Sequence, residues 1–176
     1  MSPDLESGLP CETDQALMGR ALDAAREAAG RGEIPIGAVV ARGGEILSVA
    51  GNEREASKDP TAHAEVLALR RAAETVGSWR LTGCTLYATL EPCPMCAGAA
   101  HSARISRLVY AAPDPKAGFA GTLHDLPSDS RLNHTFPVSA GLLEAESSKL
   151  LRDFFRWRRG SPETPFADPQ ANKPQP

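Results

Sequence analysis

No stretch of the chain approaches the roughly 18 consecutive apolar residues that cross a bilayer, and no basic residue precedes Arg20, which follows Asp4, Glu6, Glu12 and Asp14. A transmembrane helix, a signal peptide and an Arg-rich transit peptide are therefore not expected, and the protein reads as cytoplasmic with no membrane partner. Cysteine is scarce, four in 176 residues. That is too few for a disulfide scaffold and, with two of them as Cys93-Pro-Met-Cys96, fits a metal or redox site in a reducing compartment. An excess of one charge is missing too: 19 Lys+Arg face 22 Asp+Glu for a net −3, so no global basic field marks a nucleic-acid partner. Aromatic residues make up only 5 %, yet the hydrophobic fraction of 41 % suffices for one domain of this length to bury a core.

Punctuation divides the chain into a polar, acidic tail over 1–12, a domain over 13–159 and a Pro-rich tail over 160–176, both tails reading as flexible. Within the domain, Leu17, Ala21, Leu22 and Ala25 recur at helical spacing from Thr13 to Arg31, with Thr13 or Asp14 as the N-cap. Ile36 to Ala41 and Ile46 to Ala50 flank Arg42-Gly-Gly-Glu45 and predict a β-hairpin. Asp59-Pro-Thr61 predicts the start of a second helix that stops near Gly77. Cys84 to Thr89 is a short, bounded, buried strand, and Pro94 to about Ala103 is a third helix. Arg107 to Ala111 is a further strand, Asp114 to Asn133 is mainly loop, and Thr135 to Ser139 is a weak edge strand because of Pro137. Gly141 to Arg159 closes the domain as a helix with Leu142, Leu143, Leu150, Leu151 and Phe154 or Phe155 inward. Alternating helices and apolar strands predict an α/β fold, a three-layer α/β/α sandwich around one mixed five-stranded sheet.

His63-Ala-Glu65 and Pro92-Cys-Pro-Met-Cys96 carry the chemistry. One imidazole and two thiolates, His63, Cys93 and Cys96, form a borderline-soft set suited to zinc, and three protein ligands leave a fourth tetrahedral position for water, the arrangement of a catalytic zinc. Pro94 suits a first helical position, which puts Cys93 and Cys96 one turn apart, and Thr61 is expected to cap the helix that holds His63 and Glu65 in its first turn. Two helix amino ends pointing at one ion would favour the thiolate form. A lone Cys-x-x-Cys also occurs as a structural half-site or a redox pair. Here no second such pair closes a structural site, and no βαβ setting marks a thioredoxin-like one. Cys84, at the head of an apolar strand, reads as core, and Cys11 lies in the tail. Glu65 reads as a proton shuttle, since the ligand set is already complete.

The chain resembles the zinc nucleobase deaminases, whose signature H-x-E…P-C-x-x-C matches His63, Glu65, Cys93 and Cys96. More narrowly, from about Glu33 to Arg159, it is similar to the bacterial tRNA-specific adenosine deaminases. The matching segments are Glu33-Ile-Pro-Ile-Gly-Ala-Val, Asn52, Asp59-Pro-Thr-Ala-His-Ala-Glu65 and Thr89-Leu-Glu-Pro-Cys-Pro-Met-Cys-Ala-Gly98, followed by Asp114-Pro-Lys116, Asn133-His134 and Leu150 to Arg159. Ala111, Pro113 and Phe119 depart from the family pattern around the loop that carries Asp114.

This resemblance implies a cytidine-deaminase-like fold, one zinc per subunit and conversion of adenosine to inosine at wobble position 34 of an arginine tRNA. In that reaction zinc-bound hydroxide would attack C6, with Glu65 moving the protons. It further implies a homodimer acting on the tRNA anticodon stem-loop, whose single-stranded bases can be splayed out. Asn52 would read the flipped base, and Asp114 and Lys116 would lie beside the flanking nucleotides; taken alone, Asn52 passes as a turn residue and Asp114-Pro-Lys116 as a solvated turn. Lys149, Arg152, Arg156, Arg158 and Arg159 oppose only Asp153 at the carboxyl end, interleaved with Phe154, Phe155 and Trp157. Phe154 and Arg156 are accordingly expected to contact RNA by stacking and by charge, the alternative being an amphipathic helix that buries Phe and solvates Arg. Two other functions fit the zinc motif: a deaminase of free cytosine, cytidine or guanine, and a non-catalytic RNA-binding zinc module.

Overall fold

The computed structural model describes residues 12–160. Cys11, nearly all of the expected amino-terminal tail and the Pro-rich segment from Ser161 onward lie outside the described residues. The first helix, α1, spans Glu12–Gly30, so Thr13 and Asp14 both lie in its first turn instead of capping it. The hairpin follows as β1 (Gly37–Arg42) and β2 (Glu45–Gly51). Arg42 pairs with Glu45 across a two-residue turn, and Gly43 and Gly44 both have positive φ (56° and 87°), the conformation that lets two strands keep their right-handed twist.

A four-residue helix, α2 (Arg54–Ser57), and then α3 (Ala64–Val76) come next. Sequence reasoning had no α2 and started α3 too early. Asp59 accepts hydrogen bonds from the Thr61 amide and hydroxyl, both at 2.7 Å, so Asp59-Pro-Thr61 closes a turn of its own and Thr61 caps nothing. The remaining elements are β3 (Cys84–Leu90), α4 (Pro94–Ser102), β4 (Arg107–Ala112), β5 (Val138–Ala140) and α5 (Glu144–Arg158). The last strand and helix both start three residues later than their expected positions. Pro137 has no amide proton for a ladder, and Gly141 and Leu143, with φ of 89° and 56°, hold the chain out of the helix.

The sheet order is β2-β1-β3-β4-β5. β1 runs antiparallel to both β2 and β3, whereas β3, β4 and β5 are parallel, the mixed five-stranded sheet the sequence predicted. Alternation along the central strands divides the core. Ala38, Val40, Leu86, Ala88, Leu108 and Tyr110 face α3 and α4 with Ala68, Leu69, Ala72 and Ala100. Val39, Ala41, Tyr87, Val109 and Ala111 face α1 with Leu17, Met18 and Ala21. Both faces are covered, which is why these strands read as continuous apolar runs. Ala111, a departure from the family pattern, is fully buried in this second layer, and Cys84 is core at the head of β3.

Candidate active site

Both halves of the metal motif sit at helix starts. His63 is the N-cap of α3 (φ −73°, ψ 147°) and Cys93 that of α4 (φ −71°, ψ 174°), with Pro94 in the first turn. Neither side chain caps its own helix; instead they turn toward each other. His63 Nδ1 lies 3.7 Å from Cys93 Sγ and 3.5 Å from Cys96 Sγ, and the two sulfurs are 3.5 Å apart. A tetrahedral ion with ligand bonds of about 2.0–2.3 Å spaces neighbouring ligand atoms by roughly 3.5–3.8 Å, so this triangle fits one face of such a tetrahedron. It is the one group of three His, Cys or acidic residues among the described residues that could hold a metal ion.

The electrostatics suit a cation. A hydrogen bond from Cys96, aided by one with His63, pulls the Cys93 thiol down to about 4. Cys96 is displaced upward, because it shares its proton with Cys93 and is buried beside Glu65. The first proton thus leaves this pair readily and the second is held tightly, as expected of two thiols in contact. His63 is raised chiefly by its hydrogen bond to Cys93.

Glu65, in the first turn of α3, is 3 % exposed. Burial pushes its carboxyl up to about 7, the range in which a general acid–base works best near neutrality. Its Oε2 is buried and has no hydrogen-bond partner among the described residues, an uncommon state for a carboxylate oxygen and one suited to an atom kept for a reacting group.

Asn52 follows β2 directly. Its amide donates to Ile36 O at 2.9 Å, and the neighbouring Glu53 amide donates to Ala62 O at 3.1 Å, which brings Asn52 alongside the His63 half of the motif. Asn52 itself is 4 % exposed and donates Nδ2 to Glu33 Oε2 at 2.9 Å. On the other half, Asp114 follows β4. Its Oδ1 accepts from the amides of Lys116 at 2.9 Å and Ala117 at 3.2 Å, and Lys116 is exposed.

A family model described as MafB19-like deaminase matches residues 12–159. Over 143 residues, the chain is 47 % identical to the tRNA-specific adenosine deaminase of Bacillus subtilis (strain 168), covering 81 % of this chain and 89 % of that relative. The chain belongs to the tRNA-specific adenosine deaminases, within the MafB19-like deaminase family. A solved structure from a study of A-to-I editing by tRNA:A34 deaminases at the wobble position of transfer RNA is 44 % identical to it, with a TM-score of 0.75, over 77 % of this deaminase and 99 % of that chain. The deaminase is also similar to part of a much longer protein, the tRNA(Ile)-lysidine synthase of Deinococcus deserti. The two are 47 % identical over 85 % of this chain but only 28 % of that one.

The closing helix of the deaminase is arranged differently from the expected stacking surface. Phe154 is fully buried and packs against the rings of Phe155 and Trp157, with centroids 5.6 and 5.5 Å away. It is a core residue and offers no face to a base. Phe155 is 39 % exposed and Trp157 is half-buried, so the aromatic surface is theirs. Arg156 is exposed, as expected, but lies 3.5 Å from Asp153, which also binds Lys149 at 2.5 Å. Phe119, another family departure, packs against His124 with ring centroids 4.6 Å apart.

Two buried acids had no role assigned from sequence. Glu33 is 1 % exposed and, besides Asn52, accepts from the amides of Ala56 at 2.8 Å and Glu55 at 3.3 Å. Glu91, also 1 % exposed, gathers the loop after β4. Burial opposes its ionisation, but hydrogen bonds from Thr122, Asp114 and Ala120 outweigh burial and hold its carboxyl below the usual range. The available signal was the oddity of an acid inside an apolar segment, since charged residues are seldom fully buried unpaired.

Proposed function

We propose that this chain converts adenosine to inosine by hydrolytic deamination at wobble position 34 of a tRNA anticodon loop, with an arginine tRNA as the expected substrate. The observation that carries this reading is the juxtaposition of the His63, Cys93 and Cys96 triangle with Glu65, whose buried Oε2 has no partner among the described residues. The tRNA named for its relatives supports the choice of substrate.

His63 Nδ1, Cys93 Sγ and Cys96 Sγ would hold a zinc ion, which when bound supplies the Lewis acid that makes water nucleophilic near neutral pH. Glu65 handles the protons. It accepts one proton from the attacking water and delivers it to ring N1 as the C6–O bond forms, then takes the second from the new C6 hydroxyl and passes it to the amino group, so that the C6–N bond breaks and ammonia leaves. A carboxyl poised near neutrality serves as base and acid in one turnover, which a carboxylate of ordinary acidity does less well. On this reading Asn52 contacts the base from the His63 side. Asp114 and Lys116 contact the neighbouring nucleotides from the Cys93 side on the same reading. The anticodon loop suits this chemistry because its bases are already unpaired, which lowers the cost of extruding one. We further propose that the enzyme acts as a cytoplasmic homodimer. No described helix is long and apolar enough to cross a membrane, and sedimentation of the full chain measures its assembly.

Zinc-loaded full chain is to be incubated with a tRNA bearing a wobble adenosine and, in parallel, with free adenosine, cytidine and guanine. Inosine is expected in the tRNA alone. Turnover confined to a free base or nucleoside contradicts the assignment, and binding without any turnover supports a non-catalytic RNA module. Glu65→Ala is expected to keep its zinc and lose turnover.

A further inference from the structure

Glu91 stands between the metal motif and the loop that carries Asp114 and Lys116. It directly follows β3 and precedes Cys93 by two residues. Its Oε1 accepts from the amides of Ala120 and Thr122, both at 3.0 Å, and its Oε2 from the amide of Asp114 at 3.0 Å and from the Thr122 hydroxyl. All four donors belong to residues 114–122. Gly118 lies against the same carboxylate so closely that a Cβ there would overlap it.

Two backbone bonds complete the attachment: the Phe119 amide donates to Pro92 O at 2.9 Å, and the Glu91 amide to Ala112 O at 2.8 Å. The loop is thus wound around one buried anion. That anion lies two residues before Cys93 in the chain, and the loop it holds carries Asp114, whose amide is one of the four donors, and exposed Lys116.

We propose that Glu91 is a positioning residue for the RNA substrate, setting the 114–122 loop against the metal-site end of β3 so that Asp114 and Lys116 meet the nucleotides beside the target adenosine. This inference rests on the tRNA reading above. A carboxylate is required because all four contacts are donors, which only an acceptor on both oxygens satisfies. Glutamine keeps the shape but turns an NH2 group toward two of those donors. None of these four bonds involves His63, Cys93 or Cys96, so the loss of Glu91 acts on how the substrate is held.

The test is Glu91→Gln in the zinc-loaded full chain, assayed on an anticodon stem-loop with a wobble adenosine. KM is expected to rise about tenfold, as for loss of a charge-assisted hydrogen bond, while kcat and zinc content stay close to wild type. In an Asp114→Ala/Lys116→Ala background, the same change is expected to cost little more, because the residues through which Glu91 acts are gone. Gly118→Ala displaces the loop from the opposite side and is expected to raise KM in the same way. It is the deciding variant if Glu91→Gln does not fold.

An unchanged KM in the folded variants overturns the proposal. So does a fall in kcat at constant KM, which would assign Glu91 to the chemistry, or a loss of zinc, which would assign it to the metal half-site. Wild type that turns over the stem-loop while its variants keep their KM fails the positioning role alone. Wild type inactive on the stem-loop fails the tRNA reading, and the positioning role with it.

Discussion

Asn52 donates its Nδ2 to Glu33 Oε2 at 2.9 Å, with both residues buried. Both Glu33 oxygens also accept backbone amides, and the Asn52 amide points its nitrogen toward Glu33 and its Oδ1 away from it. The same carboxylate receives the Glu55 and Ala56 amides at the start of α2, which gives the short helix an anchor. Glu33→Gln removes one acceptor and is expected to lower kcat/KM on a stem-loop about tenfold, with a smaller effect in an Asn52→Ala background. Steady-state kinetics on both backgrounds measure this, and equal losses in the two would detach Glu33 from Asn52.

Burial pushes the Glu65 carboxyl from its ordinary 4.5 up to about 7. A carboxyl with a higher pKa in the folded than in the unfolded state contributes stability below the unfolded value and loses it as pH rises through the folded value. In protein stripped of metal by a chelator, stability is therefore expected to fall between about pH 4.5 and about pH 7. Glu65→Gln flattens that part of the profile, and melting temperatures of both proteins at about pH 5 and about pH 8 read it directly. A difference between them that does not change with pH contradicts the assignment.

Asp14, buried in α1, accepts from the Tyr87 hydroxyl at 2.6 Å and pairs with Arg107 at 2.9 Å. It thereby ties the helix to β3 and β4 at once. Asp14→Ala leaves both partners short of an acceptor and is expected to cost about 2 kcal/mol or more. Tyr87→Phe, which removes one hydroxyl, costs about 1 kcal/mol. Urea denaturation measures both, and equal losses would mean that the Arg107 pair adds nothing.

The aromatic residues of α5 divide by burial, and their substitutions divide in the same way. Phe154→Ala opens a core cavity and is expected to cost about 3–5 kcal/mol in stability. Phe155→Ala and Trp157→Ala, whose rings only flank Phe154, lower the melting temperature less than Phe154→Ala and weaken stem-loop binding by about 1 kcal/mol each where a base stacks. Fluorescence anisotropy with labelled stem-loop separates the two classes. Full binding by both the Phe155 and the Trp157 variants would make the helix a packing element.

The metal triangle was legible from sequence because its signals are local: proline after Cys93, a one-turn spacing to Cys96, and a histidine near the start of a helix. The sheet was legible because strands covered on both faces leave unbroken apolar runs. Phe154 was misread as a stacking residue because neighbouring aromatics on one helix look alike until packing chooses between them. Asp59-Pro-Thr61 has the composition of a helix cap, but its side-chain bonds close a separate turn. Glu33 and Glu91 were silent for another reason. Most of their partners are backbone amides some 20 to 30 residues away, and an amide is the same whatever residue carries it.

Asp153 gives the basic helix a property that its cation count hides. Lys149 and Arg156 both rest against this one acid, so an RNA phosphate that engages either must first displace a carboxylate belonging to the protein. The helix carries its own counterion. Fewer ions are then released to solution for each phosphate bound, and affinity for RNA falls less steeply with added salt than five cations would suggest.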